Sequence, residues 1–380
     1  MKYLFTALCS LICISHATAQ EITVSPTGFS GQNDVRTFSL EQAHVTKNPS
    51  GLIIRPMEST PVELSRVRAF SFSPASKLLS VLQAGETDTL QAQLFDSRGR
   101  ALKEFPLEHF SPGDHTLDVT VFDDGRQVVR DNVANFTFLD TDGSRLYSLS
   151  NSTGTAGGET VSEFKADRYG RTVVLYNPQI RYDEQTGSRA RIVRGEDHLT
   201  NLYESPGRVI KGIHITENGS YITVISGREG TDDRILLFDR FGNPIREITT
   251  GETVAGTTLT GDAKYLTIFS ESRAQVYRVR DLEQIGSTSL RAASVFYAAY
   301  YPEDQQILAL SGTIDGGEGT GPISGPEVHA IHLAERQIAR TRIDFPLSVL
   351  NRDRIRIVRR EANRYSIEGF NRHMEVQAGF

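Results

Sequence analysis

Tryptophan is absent from the 380-residue chain, and cysteine is rare, with Cys9 and Cys13 as its two representatives. No apolar run reaches the roughly 20 residues that a bilayer-spanning helix needs, which excludes a multi-span membrane protein. The composition, 38% hydrophobic and 23% charged, is that of a folded chain and excludes intrinsic disorder and collagen.

The N-terminus has the pattern of a secretory signal peptide. Lys2 precedes the short apolar segment Tyr3–Ile14, and Ala17-Thr18-Ala19 forms an A-x-A cleavage site before Gln20. We therefore predict a signal peptide over residues 1–19 and a periplasmic or secreted protein, with a retained N-terminal anchor as the alternative. We expect no membrane span after cleavage.

Cleavage at this site would remove both cysteines from the mature chain. Such a protein has no disulfides, cysteine nucleophile, thiolate zinc site or haem attachment motif, and depends on packing and sheet hydrogen bonds. The net charge of −6 is unfavourable for contacts to a phosphate backbone, so we expect no nucleic-acid partner.

Alternating apolar and polar residues run from the predicted cleavage site nearly to the C-terminus. Segments such as Tyr221–Ile225 and Arg234–Phe238 are rich in β-branched and aromatic residues and are bounded by Asn-Gly or Asp-x-x-Gly turns. No window of a dozen residues has a helical apolar period. The predicted fold class is all-β.

The strands recur in units of four. The second strands of three successive units begin near Tyr221, Tyr265 and Ile307, which are 44 and 42 residues apart, as in propeller blades. Residues 63–380 then form a single β-propeller of about seven four-stranded blades, although six or eight also fit. Residues 20–62 form an N-terminal arm. A string of β-sandwich domains is the alternative, but linkers between the units are not evident.

These units resemble blades of the YVTN-type and WD-repeat-like propeller superfamily. The segment Ala274–Gly286 is similar to the outer hairpin of a YVTN blade, whereas Trp-Asp dipeptides, Gly-His pairs in register and Trp-rich quinoprotein motifs are missing. The resemblance implies a binding platform more often than an enzyme, although some YVTN-like propellers are lactonases.

The glycine-rich segment Gly312–Pro326 lies between the second and third strands of one unit and predicts a long loop. Asp315 and Glu318 in this loop are candidate Ca²⁺ ligands, since that cation prefers carboxylate oxygens. A surface loop without a ligand is the alternative, and we expect no other cofactor. His329 and His332 are three residues apart on a strand, so they point to opposite faces and cannot share a metal.

Arg354 and Arg356 alternate with Ile355 and Ile357 near the C-terminus. This pattern places two guanidinium groups on one face of a strand, where they could bind a carboxylate, a phosphate or an acidic partner. A solvated or salt-bridged strand face explains the same pattern.

No G-x-S-x-G or H-E-x-x-H motif occurs in the sequence, and we identify no catalytic residue. The leading hypothesis is an exported, non-enzymatic propeller that binds a protein or a cell-envelope component. The alternatives are a lactonase-like hydrolase with its site in the central channel, and a periplasmic ligand sensor.

The last unit contains one strand too few for a blade. We expect an N-terminal strand to complete it and to close the ring, with Gly51–Pro56 as the favoured segment and Glu21–Ser25 as the other candidate.

Overall fold

The structure is a computed structural model that describes most of the chain. Its described residues are 21–27, 37–49, 51–73, 75–85, 90–107, 118–131, 134–152, 162–182, 185–195, 198–228, 232–290, 294–315, 321–349, 355–370 and 373–379. Every regular element in these ranges is a β-strand, which confirms the all-β prediction. No helix of the described chain is long and apolar enough to cross a membrane. The predicted signal peptide lies outside these residues.

The strands form eight antiparallel sheets, named blades 1 to 8. After β1 (Glu21–Thr27), blade 1 contains β2 (Thr37–Ser39), β3 (Ala43–Asn48), β4 (Gly51–Pro56) and β5 (Val62–Ser65). Blade 2 contains β6 (Val67–Ser73), β7 (Leu78–Ala84), β8 (Leu90–Phe95) and β9 (Ala101–Leu107). Blade 3 contains β10 (Asp118–Val121), β11 (Gln127–Arg130), β12 (Asn135–Leu139) and β13 (Arg145–Ser150). Blade 4 contains β14 (Glu163–Ala166), β15 (Val173–Tyr182), β16 (Gln185–Val193) and β17 (Leu199–Ser205).

The later blades follow the same order. Blade 5 contains β18 (Val209–Ile215), β19 (Tyr221–Gly227), β20 (Arg234–Asp239) and β21 (Pro244–Thr249). Blade 6 contains β22 (Gly256–Leu259), β23 (Tyr265–Phe269), β24 (Arg273–Arg278) and β25 (Glu283–Ser289). Blade 7 contains β26 (Val295–Tyr301), β27 (Gln306–Ile314), β28 (Gly321–His332) and β29 (Gln337–Arg342), and β30 (Ser348–Val349) pairs with β28. Blade 8 contains β31 (Arg356–Glu361), β32 (Arg364–Glu368) and β33 (His373–Gly379), with β1 as its fourth strand.

The turns between strands use the predicted Asp-x-x-Gly chemistry. Gly143 has φ +85°, and a Cβ there would lie 2.2 Å from the ring of Phe105 in the neighbouring blade. Gly170 has φ +63°, and a Cβ there would lie 2.6 Å from the ring of Phe122 in the preceding blade. Only glycine combines this conformation with such a close approach. These turns therefore set the distance between blades as well as reversing the chain.

Apolar packing joins consecutive blades. Seven clusters of buried side chains span the interfaces from blades 1 and 2 to blades 7 and 8, one cluster at each interface. Blades 2 to 7 thus each bury both faces against their neighbours, which a four-stranded sheet cannot do alone. The result is a ring of eight blades, within the predicted range of six to eight.

The N-terminal strand closes this ring, as predicted, but the favoured segment was wrong. β1 pairs with β33 over seven residues, from Glu21 opposite Gly379 to Thr27 opposite His373. Gly51–Pro56 instead lies inside blade 1, between β3 and β5. The repeat therefore starts at residue 37 rather than at residue 63. A three-residue strand, β2, has too few positions to show an alternating pattern, which is why the sequence did not reveal this blade.

The seam between blade 8 and blade 1 differs from the other interfaces. None of the apolar clusters of the described residues spans it. Near this seam, the ammonium of Lys77, in the turn between β6 and β7 of blade 2, is attracted by the carboxylates of Glu368 of blade 8 and Glu41 of blade 1 and repelled by Arg356. Burial lowers the pKa of Lys77 to about 8, and the two carboxylates oppose that shift. β1 pairs with β33 of blade 8 and continues along the chain into blade 1. The β1–β33 ladder is thus the main connection at this seam.

Replacing Ile22 with alanine should test this role of β1 in closing the ring. The Ile22 side chain is 6% exposed and belongs to the apolar cluster of blades 7 and 8. Removing a buried isoleucine of this kind costs about 2–5 kcal/mol. We expect Ile22→Ala to lower the melting temperature clearly in calorimetry.

The matched control is Thr23→Ala, because Thr23 is exposed on the opposite face of the same strand. We expect this variant to melt like the unmodified protein. Equal melting temperatures for the two variants would contradict a role for β1 in closure.

Candidate functional site

The inner strands of the ring enclose a cavity of about 380 Å³. Its wall is formed by the first strands of blades 4 to 8 and by turns of blades 2 and 3. Clefts of this size occur at small-molecule sites. The central channel is therefore the candidate functional site.

Strand alternation places polar side chains on the channel wall. On β14, Phe164 packs into an apolar cluster, whereas Glu163 and Lys165 line the cavity. On β18, Ile213 and Ile215 belong to the cluster between blades 4 and 5, which directs the intervening His214 towards the channel.

Most charged groups of the wall have partners from other strands. Asp123 of blade 3 accepts hydrogen bonds from Arg168 of blade 4 and from Ser73 of blade 2. The ammonium of Lys211 donates to Asp233 at 2.8 Å. These contacts rigidify the wall and neutralise charges that would be costly to leave unpaired.

The phenol of Tyr176 donates to Glu163. Burial, followed by the nearby Glu163 carboxylate, raises the pKa of this phenol. Tyr176 therefore acts as a neutral donor that holds Glu163 at one end of the channel.

Arg356 is a sequence-predicted site residue that the structure places in the channel wall. Its Nε donates to Glu368 at 2.6 Å, and its Nη1 lies 3.9 Å from Glu217. The phenol of Tyr297 lies in the same wall, and burial, then the Glu217 carboxylate, raises its pKa. The ion pair with Glu368 is the salt-bridged alternative that the sequence pattern also allowed, and the anion-binding role of Arg356 stays a prediction.

The other sequence-predicted residues do not join this site. Asp315 is exposed at the end of β27, where its carboxylate accepts a hydrogen bond from Ser324 at 2.8 Å. Glu318 and Arg354 lie outside the described residues. The Ca²⁺ site therefore stays a prediction, and no group of three or more His, Cys, Asp or Glu side chains in the described chain could hold a metal ion.

His214 is the channel residue with the most distinctive chemistry. Burial, aided by the nearby ammonium of Lys165, lowers its pKa to about 4. Its imidazole is thus neutral at pH 7 and makes no hydrogen bond to another described side chain or backbone group. A neutral imidazole offers a ligand one donor and one acceptor.

Sequence reasoning missed Lys165, His214 and Glu217. All three belong to the first strand of a unit or to the turn that follows it, and the first strand is the innermost strand of a propeller blade. Polar residues between apolar ones on these strands were the available signal.

Comparisons with known proteins support the fold. No protein-family model matches the chain, and no curated protein matches it. A solved structure described as "Structure of Dos1 propeller" is similar, with a TM-score of 0.52 and 13% sequence identity. The alignment covers 93% of this chain and 94% of that chain. The chain is therefore similar in fold to a β-propeller over nearly its whole length, and the YVTN-type resemblance stays a prediction.

The titration of His214 gives a pH-dependent prediction. Its folded pKa of about 4 lies below the ordinary value of about 6.5, so the unfolded chain binds the proton more readily between these values. Stability from this residue is present above pH 6.5 and is lost as pH falls towards 4. The loss at pH 5 is on the order of 1–2 kcal/mol.

We expect His214→Gln to lose less thermal stability than the unmodified protein between pH 7 and pH 5. NMR provides the direct check. The imidazole signal of His214 is identified by its absence from the spectrum of His214→Gln, and in the unmodified protein it should keep the chemical shift of a neutral imidazole at pH 5. Titration of that signal near pH 6.5 would contradict the channel environment described for His214.

Proposed function

We propose that the chain is an exported, non-enzymatic propeller that binds a protein or cell-envelope partner through one edge of the ring. Export rests on the predicted signal peptide at residues 1–19. A propeller presents many turns on a rigid scaffold, and such scaffolds suit binding. The YVTN-type blade resemblance is consistent with this role.

The chemistry of the channel favours binding over hydrolysis. Nucleophilic catalysis needs a nucleophile within hydrogen-bond reach of a base. Asp123 is instead paired with Arg168, and Glu163 accepts from Tyr176. His214 has no hydroxyl or carboxylate partner among the described hydrogen bonds. The lactonase-like alternative therefore has less support than a binding role.

The observation that carries the proposal is an exposed aromatic residue held by arginines. Phe241, in the turn between β20 and β21, is 58% exposed. The guanidinium groups of Arg240 and Arg194 lie 4.9 and 5.6 Å from its ring centroid. Arg194 also donates to the carbonyl of Arg240 at 2.8 Å, which joins blades 4 and 5. Aromatic and arginine side chains dominate binding hot spots.

The surroundings of Phe241 indicate the charge of the partner. Arg246 on β21 continues the basic edge, and its guanidinium donates to the carbonyl of Arg280 in blade 6 at 2.8 Å. Arg194, Arg240 and Arg246 thus bring three guanidinium groups to the surroundings of Phe241, although the whole chain has a net charge of −6. Charge complementarity favours an acidic partner surface with an apolar pocket for Phe241.

Replacing Phe241 with alanine should test this surface. In capture experiments from cell-envelope extracts, we expect Phe241→Ala to retain the specific partner about tenfold less well than the unmodified protein. Ile338→Ala is the matched control, because Ile338 is another large exposed apolar residue, 47% exposed, on β29 of blade 7.

An equal loss of captured partner in Phe241→Ala and Ile338→Ala would indicate non-specific adhesion and contradict the proposed surface. Turnover of a small substrate by the purified protein, with no partner recovered, would contradict the binding function as a whole.

A further inference from the structure

Two side chains of opposite charge lie close together in the channel wall without forming a hydrogen bond. Arg356 of blade 8 and Glu217 of blade 5 approach to 3.9 Å between Nη1 and Oε1. This separation is longer than a hydrogen bond between nitrogen and oxygen. The two groups therefore attract each other but leave their hydrogen-bonding capacity in this direction unused.

Arg356 is held in place independently of Glu217. Its Nε and Nη2 both lie 2.6 Å from the Glu368 carboxylate, and Arg360 approaches that carboxylate from its other oxygen at 3.7 Å. Nη1 makes no hydrogen bond to a described residue. The guanidinium is thus preorganised, so the binding of a ligand to Nη1 would cost little side-chain entropy of Arg356.

Glu217 is the more accessible partner. Its side chain is 56% exposed in the turn after β18, and its carboxylate accepts no hydrogen bond from the described residues. Arg168 and Tyr297 also experience its charge. A ligand cation that reaches Glu217 would therefore meet an available acceptor.

We propose that this pair binds the α-ammonium and α-carboxylate groups of a free amino acid with an apolar side chain. The carboxylate of the ligand binds Nη1 of Arg356, and its ammonium binds Glu217. The two charges of an α-amino acid share one carbon, so they match a protein pair only 3.9 Å apart. The dipole of such a ligand lies antiparallel beside the dipole of the protein pair, so that each charge meets an opposite one.

The rest of the wall supports a dipolar and apolar ligand. Among the described residues of the wall, four side chains are cationic and four are anionic, so these charges balance and favour neither a simple anion nor a simple amine. Phe269, Phe296 and Ile355 provide apolar surface in the same cavity. The cavity volume of about 380 Å³ gives room for a side chain as large as phenylalanine's.

Isothermal titration calorimetry with L-phenylalanine tests this site directly. We expect saturable binding with a Kd below about 1 mM. N-acetyl-phenylalanine lacks the ammonium and phenylalaninamide lacks the carboxylate, so each should bind at least tenfold more weakly. Equal binding of either analogue, or no saturable binding of L-phenylalanine, would overturn the proposal.

One variant and its matched control test whether the ligand binds in the channel. Glu217→Gln should weaken binding about tenfold to a hundredfold, because it removes a charge-assisted hydrogen bond. Glu247→Gln is the matched control, since Glu247 forms a similarly exposed ion pair with Arg234, at 3.3 Å, on the outer strands of the same blade. Circular dichroism should confirm that both variants are folded.

An unchanged affinity of Glu217→Gln for L-phenylalanine, or equal losses of affinity in Glu217→Gln and Glu247→Gln, would contradict the assignment of this site. The inference goes beyond the proposed function, because partner capture depends on Phe241 and should be the same in Glu217→Gln.

Discussion

Pairing between the two ends of the chain closes the ring, and the geometry of the channel depends on that closure. The seven-residue β1–β33 ladder joins Glu21–Thr27 to His373–Gly379. Elsewhere an apolar cluster joins each blade to the next, but no cluster of the described residues joins blade 8 to blade 1. The ladder therefore does at one seam what side-chain packing does at the other seven. Without it, the unpaired edge of β33 would be exposed.

A closed ring explains how a charged channel wall can be stable. Two charge pairs of the wall join different blades: Asp123 of blade 3 pairs with Arg168 of blade 4, and Arg356 of blade 8 faces Glu217 of blade 5. Such pairs form only while the blades keep their relative positions. Burial in the closed channel lowers the pKa of His214, and Glu368 holds the guanidinium of Arg356 beside the cavity. Closure and site geometry are thus coupled.

Local patterns predicted the fold well because strand alternation and turn chemistry are local properties. The Asp-x-x-Gly turns and the repeat near Tyr221 and Tyr265 were sufficient for the architecture and for closure by an N-terminal strand. The choice of Gly51–Pro56 failed because blade 1 begins with a three-residue strand that has no readable period. Channel residues were harder to predict. Asp123 and Arg168 are 45 residues apart, and nothing local indicates that the turns after two first strands face one cavity.

A disulfide across the ladder tests closure most directly. Val24 and Val376 are paired residues, so their Cα atoms should lie within the range that a disulfide spans. Both native cysteines precede Gln20, so a chain beginning there has no competing thiol. We predict that Val24→Cys with Val376→Cys oxidises readily in the folded protein and raises its melting temperature, whereas Val24→Cys with Ala378→Cys, two residues out of register, does not. Failure of the in-register pair to oxidise, or equal oxidation of both pairs, would contradict closure of the ring by β1.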